Sequence, residues 1–174
     1  LERGWQRGMD AALKLQLTEN LTARGNVAWG QCKGYGLQSG HFLLEAKEIA
    51  DINSRGGVFC DHMQTLTSSA IMTYRFLERT TVTGQMLFAS GLRTAENEEA
   101  KTNSTHSPSY TIYNVSIAHV FPLPWDGQKF LLGFDIINLF DQQYYINQGE
   151  GSIGLGVAHA GMPRSFFFRG QWFF

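Results

Sequence analysis

The final stretch of the chain, Met162-Pro163-Arg164-Ser165-Phe166-Phe167-Phe168-Arg169-Gly170-Gln171-Trp172-Phe173-Phe174, most narrowly limits what the protein can fold into. A β-strand sends successive side chains to opposite faces, which puts Phe166, Phe168, Gly170, Trp172 and Phe174 together and Ser165, Phe167, Arg169, Gln171 and Phe173 together. The first face is oily throughout. A last strand that presents an apolar wall to lipid and aromatic rings to the water interface has this pattern.

The same alternation recurs upstream. Residues 8–17 set Ala11, Leu13, Leu15 and Leu17 against Asp10, Ala12, Lys14 and Gln16; after Thr18-Glu19-Asn20, Leu21, Ala23, Gly25, Val27 and Trp29 oppose Thr22, Arg24, Asn26, Ala28 and Gly30. Further strands are predicted over 65–76, 82–93, 110–121 and 130–136, with a tight turn at Glu78-Arg79-Thr80. About seven strands result. A short helix is conceivable within residues 41–50, although its periodicity is brief, and residues 94–107 read as a solvated loop. All four prolines, Pro108, Pro122, Pro124 and Pro163, fall in connections or at a strand's start, where no ladder bond is lost.

Two regularities favour a membrane sheet over a soluble one. Connections alternate short and long, as when tight periplasmic turns occupy one end of a barrel and extended external loops the other. Charge is partitioned as well: Asp10, Lys14, Arg24, Arg75, Arg93, Asp135 and Arg169 all fall opposite the apolar face, which is expected to carry no charge within the spans. A Lys or Arg on the lipid face at mid-depth would cost about 2–4 kcal/mol. No run approaches the roughly 18–20 apolar residues of a membrane helix, so a spanning chain would have to close as a barrel. Inward-facing candidates are Arg24, Arg75, Gln85, Arg93 and Arg169, which could hold carboxylates of an interior domain, meet an anionic ligand or be hydrated.

A net charge of -1 gives no surface for nucleic acid. Cys32 and Cys60 suit either two unpaired thiols, the simpler expectation, or a bridge in an oxidising envelope. Cys60-Asp61-His62 cannot easily chelate one metal, because neighbouring residues of an extended chain point apart. No nucleophile elbow organises the serines and histidines. Neither an enzyme nor a cofactor or metal site is expected. Asn103-Ser104-Thr105 matches a glycosylation acceptor, a motif common by chance and idle in a bacterium.

The segment Asn138-Leu139-Phe140-Asp141-Gln142-Gln143-Tyr144-Tyr145 resembles the penultimate strand region of TonB-dependent outer-membrane receptors, where an NLFD motif precedes tyrosines. Gly149-Glu150-Gly151-Ser152-Ile153-Gly154, then Gly161-Met162-Pro163-Arg164-Ser165-Phe166-Phe167-Phe168 and terminal Phe174, are similar to the last external loop and final strand of that family. Asp61-His62-Met63-Gln64 and Ser90-Gly91-Leu92-Arg93 are likewise similar to receptor segments.

The resemblance implies an all-β, antiparallel transmembrane β-barrel segment, about seven strands of a barrel of roughly 22 with a plugged lumen. Residues 1–174 would be its C-terminal part, with the N-terminal plug, the remaining strands and the signal peptide outside this sequence. It also implies active uptake of a scarce ligand, foremost a ferric siderophore, powered by the TonB-ExbB-ExbD system in a Gram-negative outer membrane. Lipid and lipopolysaccharide would surround the wall. On local chemistry, Asn138 and Asp141 are expected to cap backbone groups where the strand leaves the sheet. Tyr144 and Tyr145 are expected at the outer interface, and Arg164 either as a solvated rim residue, the simpler expectation, or within reach of loop carboxylates or lipopolysaccharide phosphates. Two other readings compete on residues alone: a passive pore or structural barrel, and a soluble lipocalin-like ligand-binding barrel.

Overall fold

The computed structural model describes residues 1–38, 44–60, 63–94, 102–125, 127–147 and 159–174. The chain forms β1 (Arg3–Gln16), β2 (Leu21–Tyr35), α1 (Ala46–Ser54), β3 (Val58–Phe59), β4 (Leu66–Phe76), β5 (Thr80–Ala89), β6 (Arg93–Thr94), β7 (Thr105–His106), β8 (Tyr110–Pro122), β9 (Lys129–Ile137), β10 (Tyr145–Asn147), β11 (His159–Ala160) and β12 (Ser165–Phe173). One antiparallel sheet runs β1-β2-β4-β5-β8-β9-β12, with β3 added to β2. Its long strands follow one another in sequence order, so every pairing is between chain neighbours. The long strands β4, β8, β9 and β12 lie within two residues of the predicted bounds, whereas β5 ends at Ala89, four residues short of the predicted 93. At the other end of the sheet, β1 begins five residues earlier than the alternation at 8–17 suggested.

Registry explains why the alternation was a good guide. Residues opposite one another across a ladder share a face, and one row passes from β12 to β2 through Phe168, Phe134, Ile117, Val82, Tyr74 and Leu21. The neighbouring row is Phe167, Asp135, Ser116, Thr83, Thr73, Thr22 and, on β1, Gln16. A slip of one residue anywhere would exchange the two faces. No long-strand ladder contains one.

The expectation of a charge-free apolar face needs a correction. Because β1 starts at Arg3, Arg3 and Arg7 join the row set of Met9, Ala11 and Leu13, and Lys33 joins that of Val27 and Trp29. All three lie at the end of β1 and β2 that carries the long connections.

Short connections follow β1, β4 and β8, while the long ones follow β2, β5 and β9. The tight turn after β4 falls at residues 77–79, with Leu77 and Glu78 in the left-handed region (φ 49° and 51°), a twist that matches hairpin strands. Within the first long connection α1 does form. The Glu48 carboxylate accepts the Glu45 backbone N–H (2.7 Å), and Asn53 ties the helix to the end of β2 by exchanging two hydrogen bonds with the Leu37 backbone (2.8 and 2.9 Å). Residues 41–43 of the expected helix lie outside the described residues.

Cys32 and Cys60 are joined as a disulfide, with Cα atoms 5.3 Å apart, so the unpaired-thiol expectation is overturned. The reason is local: β3 pairs with β2 through Lys33–Phe59 and Gly34–Val58, which carries Cys60 to the position opposite Cys32. Within 94–107, the described residues are also more than a solvated loop. β6 and β7 pair there, and Thr102, Asn103 and Ser107 are buried.

Buried apolar side chains among the described residues are Ile52, Val58, Ala89 and Ile112, at or near the long-connection end. The middle of the sheet has no such core. Large apolar groups such as Met9, Phe168 and Trp172 instead stand exposed on the apolar face. No helix among the described residues is long and apolar enough to cross a membrane.

Candidate functional site

The polar face and the corner at its long-connection end bring together most of the sequence-predicted site residues. At the corner the chain leaves β9 with Asn138 and Asp141 in the left-handed region (φ 54° and 53°), which short polar side chains tolerate better than others. Asn138 is 1% exposed. Its side-chain Nδ2 donates to the carbonyls of Gln142 (2.9 Å) and Met162 (3.1 Å), and its Oδ1 accepts the Gln142 N–H (2.9 Å). Asp141 Oδ1 accepts the backbone N–H of Arg164 at 2.9 Å. The two side chains thus hold the turn and the start of β12 to one another, satisfying backbone groups that have left the ladder.

Leu139 contributes its backbone N–H to the Tyr113 carbonyl (2.7 Å), and Phe140 stays 68% exposed with its ring edge-on to Tyr113 at 5.3 Å. Pro163 starts the return to the sheet, where Ser165 Oγ donates to its carbonyl (2.9 Å). The Arg164 side chain is exposed, and the residue's bond to Asp141 is made by its backbone.

Tyr144 departs from expectation. Instead of joining the outer interface it packs against Tyr110, with ring centres 4.6 Å apart and planes tilted by 35°, and lines a depression of the polar face with Ile112, Asn114 and Ile137. Gly161 explains the placement, because it lies against the Tyr144 ring where any β-carbon would overlap. Tyr145, in β10, is exposed and pairs with Ala160. Phe174 is fully exposed beyond β12.

Below the corner a chain of side-chain amides crosses the polar face. Asn114 donates to Gln85 Oε1 (3.0 Å), and its own Oδ1 accepts the Asn138 backbone N–H (2.9 Å). Sequence reasoning selected Gln85 and Asn138 separately. The missed link, Asn114, was signalled by its place on the polar face of its strand. Farther along, Arg169 grips Asp135 with two bonds (Nε–Oδ2 2.6 Å and Nη2–Oδ1 3.0 Å) and reaches Ser116 Oγ at 3.2 Å. Gly133, opposite Arg169, leaves the space in which the guanidinium lies. Asp135 was legible as an inward charge but not as a partner, since the pair is diagonal across the ladder.

Arg24 and Arg75 lie exposed on the polar face, and among the described residues neither side chain has a hydrogen bond or ion pair. Arg24 stands directly opposite Lys14, a like-charge pairing that disfavours the ladder by itself and favours an anion set between them.

Arg93 is not part of this inward row. It is 5% exposed at the long-connection end, with its guanidinium 3.8 Å from the Phe59 ring centre and Nη1 donating to the Asn103 carbonyl (3.2 Å). Asn103 Nδ2 returns a bond to the Phe59 carbonyl (3.1 Å). Gly91, with φ +81°, makes this path possible: a β-carbon there would collide with the Ser107 carbonyl. Burial lowers the Arg93 pKa. Partial desolvation first, and the positive Arg93 second, lower that of His106, whose ring bonds Thr65 Oγ1 at 2.7 Å.

Asp61, His62 and the segment Gly149-Glu150-Gly151-Ser152-Ile153-Gly154 lie outside the described residues. Among the described residues, no three of His, Cys, Asp and Glu converge as a metal set.

No protein-family model matches the chain, and no curated protein matches it. Among solved structures, it is similar to the "Copper transporter OprC", with a TM-score of 0.60 and 14% sequence identity over 96% of this chain and 23% of that one. The chain therefore spans less than a quarter of that protein's length. At this identity the likeness concerns the fold, and the fold of this chain is that of an antiparallel β-barrel segment.

Proposed function

We propose that the chain is the C-terminal part of the barrel wall of an outer-membrane TonB-dependent uptake receptor, with the plug domain and other strands supplied by further sequence. The observation that carries this reading is the back-to-back pair of rows running from β12 to β2: an uncharged apolar row outward and a polar row inward. Depressions of the sheet are lined by the polar rows, for example by Gln85, Asn114, Ser116 and Asp135, as expected when a sheet curls toward its polar side. A lipocalin-like calyx would have the opposite polarity, with apolar groups inside.

Aromatic rings support the same reading. Trp125 stacks on Trp172 (6.1 Å) at the short-turn end, and Trp5 and Trp29 lie near the long-connection end, like the two girdles of a membrane barrel. The corner held by Asn138 and Asp141 gives physical content to the resemblance of its motif to TonB-dependent receptors.

The substrate we infer is a scarce metal, with a ferric siderophore first on that family resemblance. Copper is a second reading, favoured only by the name of the structurally similar transporter. Deletion of the gene encoding this chain tests both: energy-dependent uptake of iron chelate, or of copper, should fall and return on complementation. Unchanged uptake of either under limitation for that metal would refute the corresponding substrate, and recovery of the protein as a detergent-free soluble monomer would refute the membrane reading.

A further inference from the structure

We infer that Arg3, Arg7 and Lys33 form an outward-facing site for the phosphate-bearing headgroup of a glycolipid in the outer leaflet. The inference rests on the membrane reading above. The three cations share the apolar face, because Arg3 pairs with Tyr35, Trp5 with Lys33, Arg7 with Gln31 and Met9 with Trp29. Two residues below Arg7 the purely apolar wall begins with Met9, Ala11, Leu13 and Leu15. The cations thus stand where the hydrocarbon band ends and headgroups begin.

Their side chains are braced on aromatic faces instead of paired with acids. The Arg7 guanidinium lies 4.7 Å from the Trp5 ring centre and 5.7 Å from that of Trp29, and one of its nitrogens donates to Gln31 Oε1 at 2.8 Å. Arg3 and Lys33 each lie 5.5 Å from the Tyr35 ring centre. Trp5 Nε1 donates to Tyr35 Oη (2.9 Å), which joins the rings into one platform. On this face β1 and β2 carry no carboxylate, and among the described residues none of the three cations has an ion pair.

Ring faces orient a guanidinium without neutralising it, and a guanidinium matches a phosphate with two parallel bonds. Three such charges bordering an acyl-chain surface complement an anionic lipid head, whereas a free anion would gain nothing from the wall below.

The test uses the protein purified in detergent from the membrane fraction, titrated with bisphosphorylated lipid A or with the same lipid dephosphorylated. Binding is read by native mass spectrometry. The phosphorylated lipid should bind in preference, and inorganic phosphate should not displace it. The variant Arg3→Gln/Arg7→Gln/Lys33→Gln should bind it on the order of a hundredfold more weakly, roughly fivefold per basic residue. Gel mobility before and after heating verifies that the variant barrel is folded, and Arg3→Lys/Arg7→Lys, which keeps the charge, should retain most of the affinity.

Equal binding of both lipids, full binding by the folded triple variant, or displacement by inorganic phosphate would each overturn the site. A protein found only in the soluble fraction would overturn the membrane reading as well; an inserted protein indifferent to phosphate overturns this inference alone.

Discussion

Replacing Asn138 by alanine should cost about 3 kcal/mol, roughly 150-fold in the unfolding equilibrium, and the figure can be separated into two causes. The first is hydrogen bonding. Three bonds of the side chain to Gln142 and Met162 are lost. At about 1 kcal/mol each they would total about 3, but Gln142 and Met162 are exposed enough for water to replace part, which leaves about 2 kcal/mol. The second is conformation: at φ 54° a β-carbon without a compensating polar group costs about 1 kcal/mol.

Glycine separates the two. Asn138→Gly loses the bonds but not the backbone fit, so it should be the more stable variant by about 1 kcal/mol. Asn138→Asp keeps an acceptor for the Gln142 N–H but turns the group that faced two carbonyls into a carboxylate, so it should be no better than alanine. Urea unfolding of the vesicle-embedded protein, followed by tryptophan fluorescence, measures the global effect. Hydrogen exchange at the Gln142 and Arg164 amides measures the local one. An alanine variant within about 0.5 kcal/mol of the parent, or more stable than the glycine variant, would refute the account of the corner.

Three further outcomes are expected. Phe168→Arg, on the apolar face at 79% exposure, should lose about 2–4 kcal/mol and fail to assemble, whereas Gln171→Arg on the polar face should assemble normally; equal yields of heat-modifiable protein would reject the facing. Cys32→Ser/Cys60→Ser should destabilise the connection closed over a separation of 28 residues by about 3 kcal/mol and hasten proteolysis between β2 and β4, an effect that reductant should reproduce in the parent and not in the variant. His106 has a folded-state pKa lowered from 6.5, so its contribution is complete above that value and is lost as pH falls toward the folded pKa; exchange at β6 and β7 should quicken on acidification, and His106→Gln should remove that pH dependence.

Legibility in the sequence followed the source of the constraint. Where solvent on each side of the sheet dictates residue type, as along Phe166–Trp172 or Leu21–Trp29, a period of two reports both strand and facing, and most bounds lay close to those observed. Where neighbouring backbone dictates structure, it did not. β3 depends on the edge offered by Lys33 and Gly34, and the bridge of Cys32 to Cys60 follows from that pairing. Arg93 fitted the inward parity of its strand, but β5 ends at Ala89, so the parity no longer applied. Tyr144 was read as an interface ring because nothing local signals that Gly161 opens a place for it over Tyr110.

This division also accounts for where the structure spends its specific contacts. Along the spans, facing is enforced by the medium, and the polar rows need few fixed partners; Arg24 and Arg75 have none among the described residues. At the corner the ladder stops, alternation no longer selects residue type, and backbone groups require partners from side chains. Asn138 and Asp141 meet that need with bonds to Gln142, Met162 and Arg164, while Asn114 carries the network on to Gln85. The four amide and carboxylate side chains therefore link β5, β8, the end of β9 and the start of β12. A motif recognisable as a short string is, physically, the place where the last two long strands are fixed relative to each other once the ladder stops doing so.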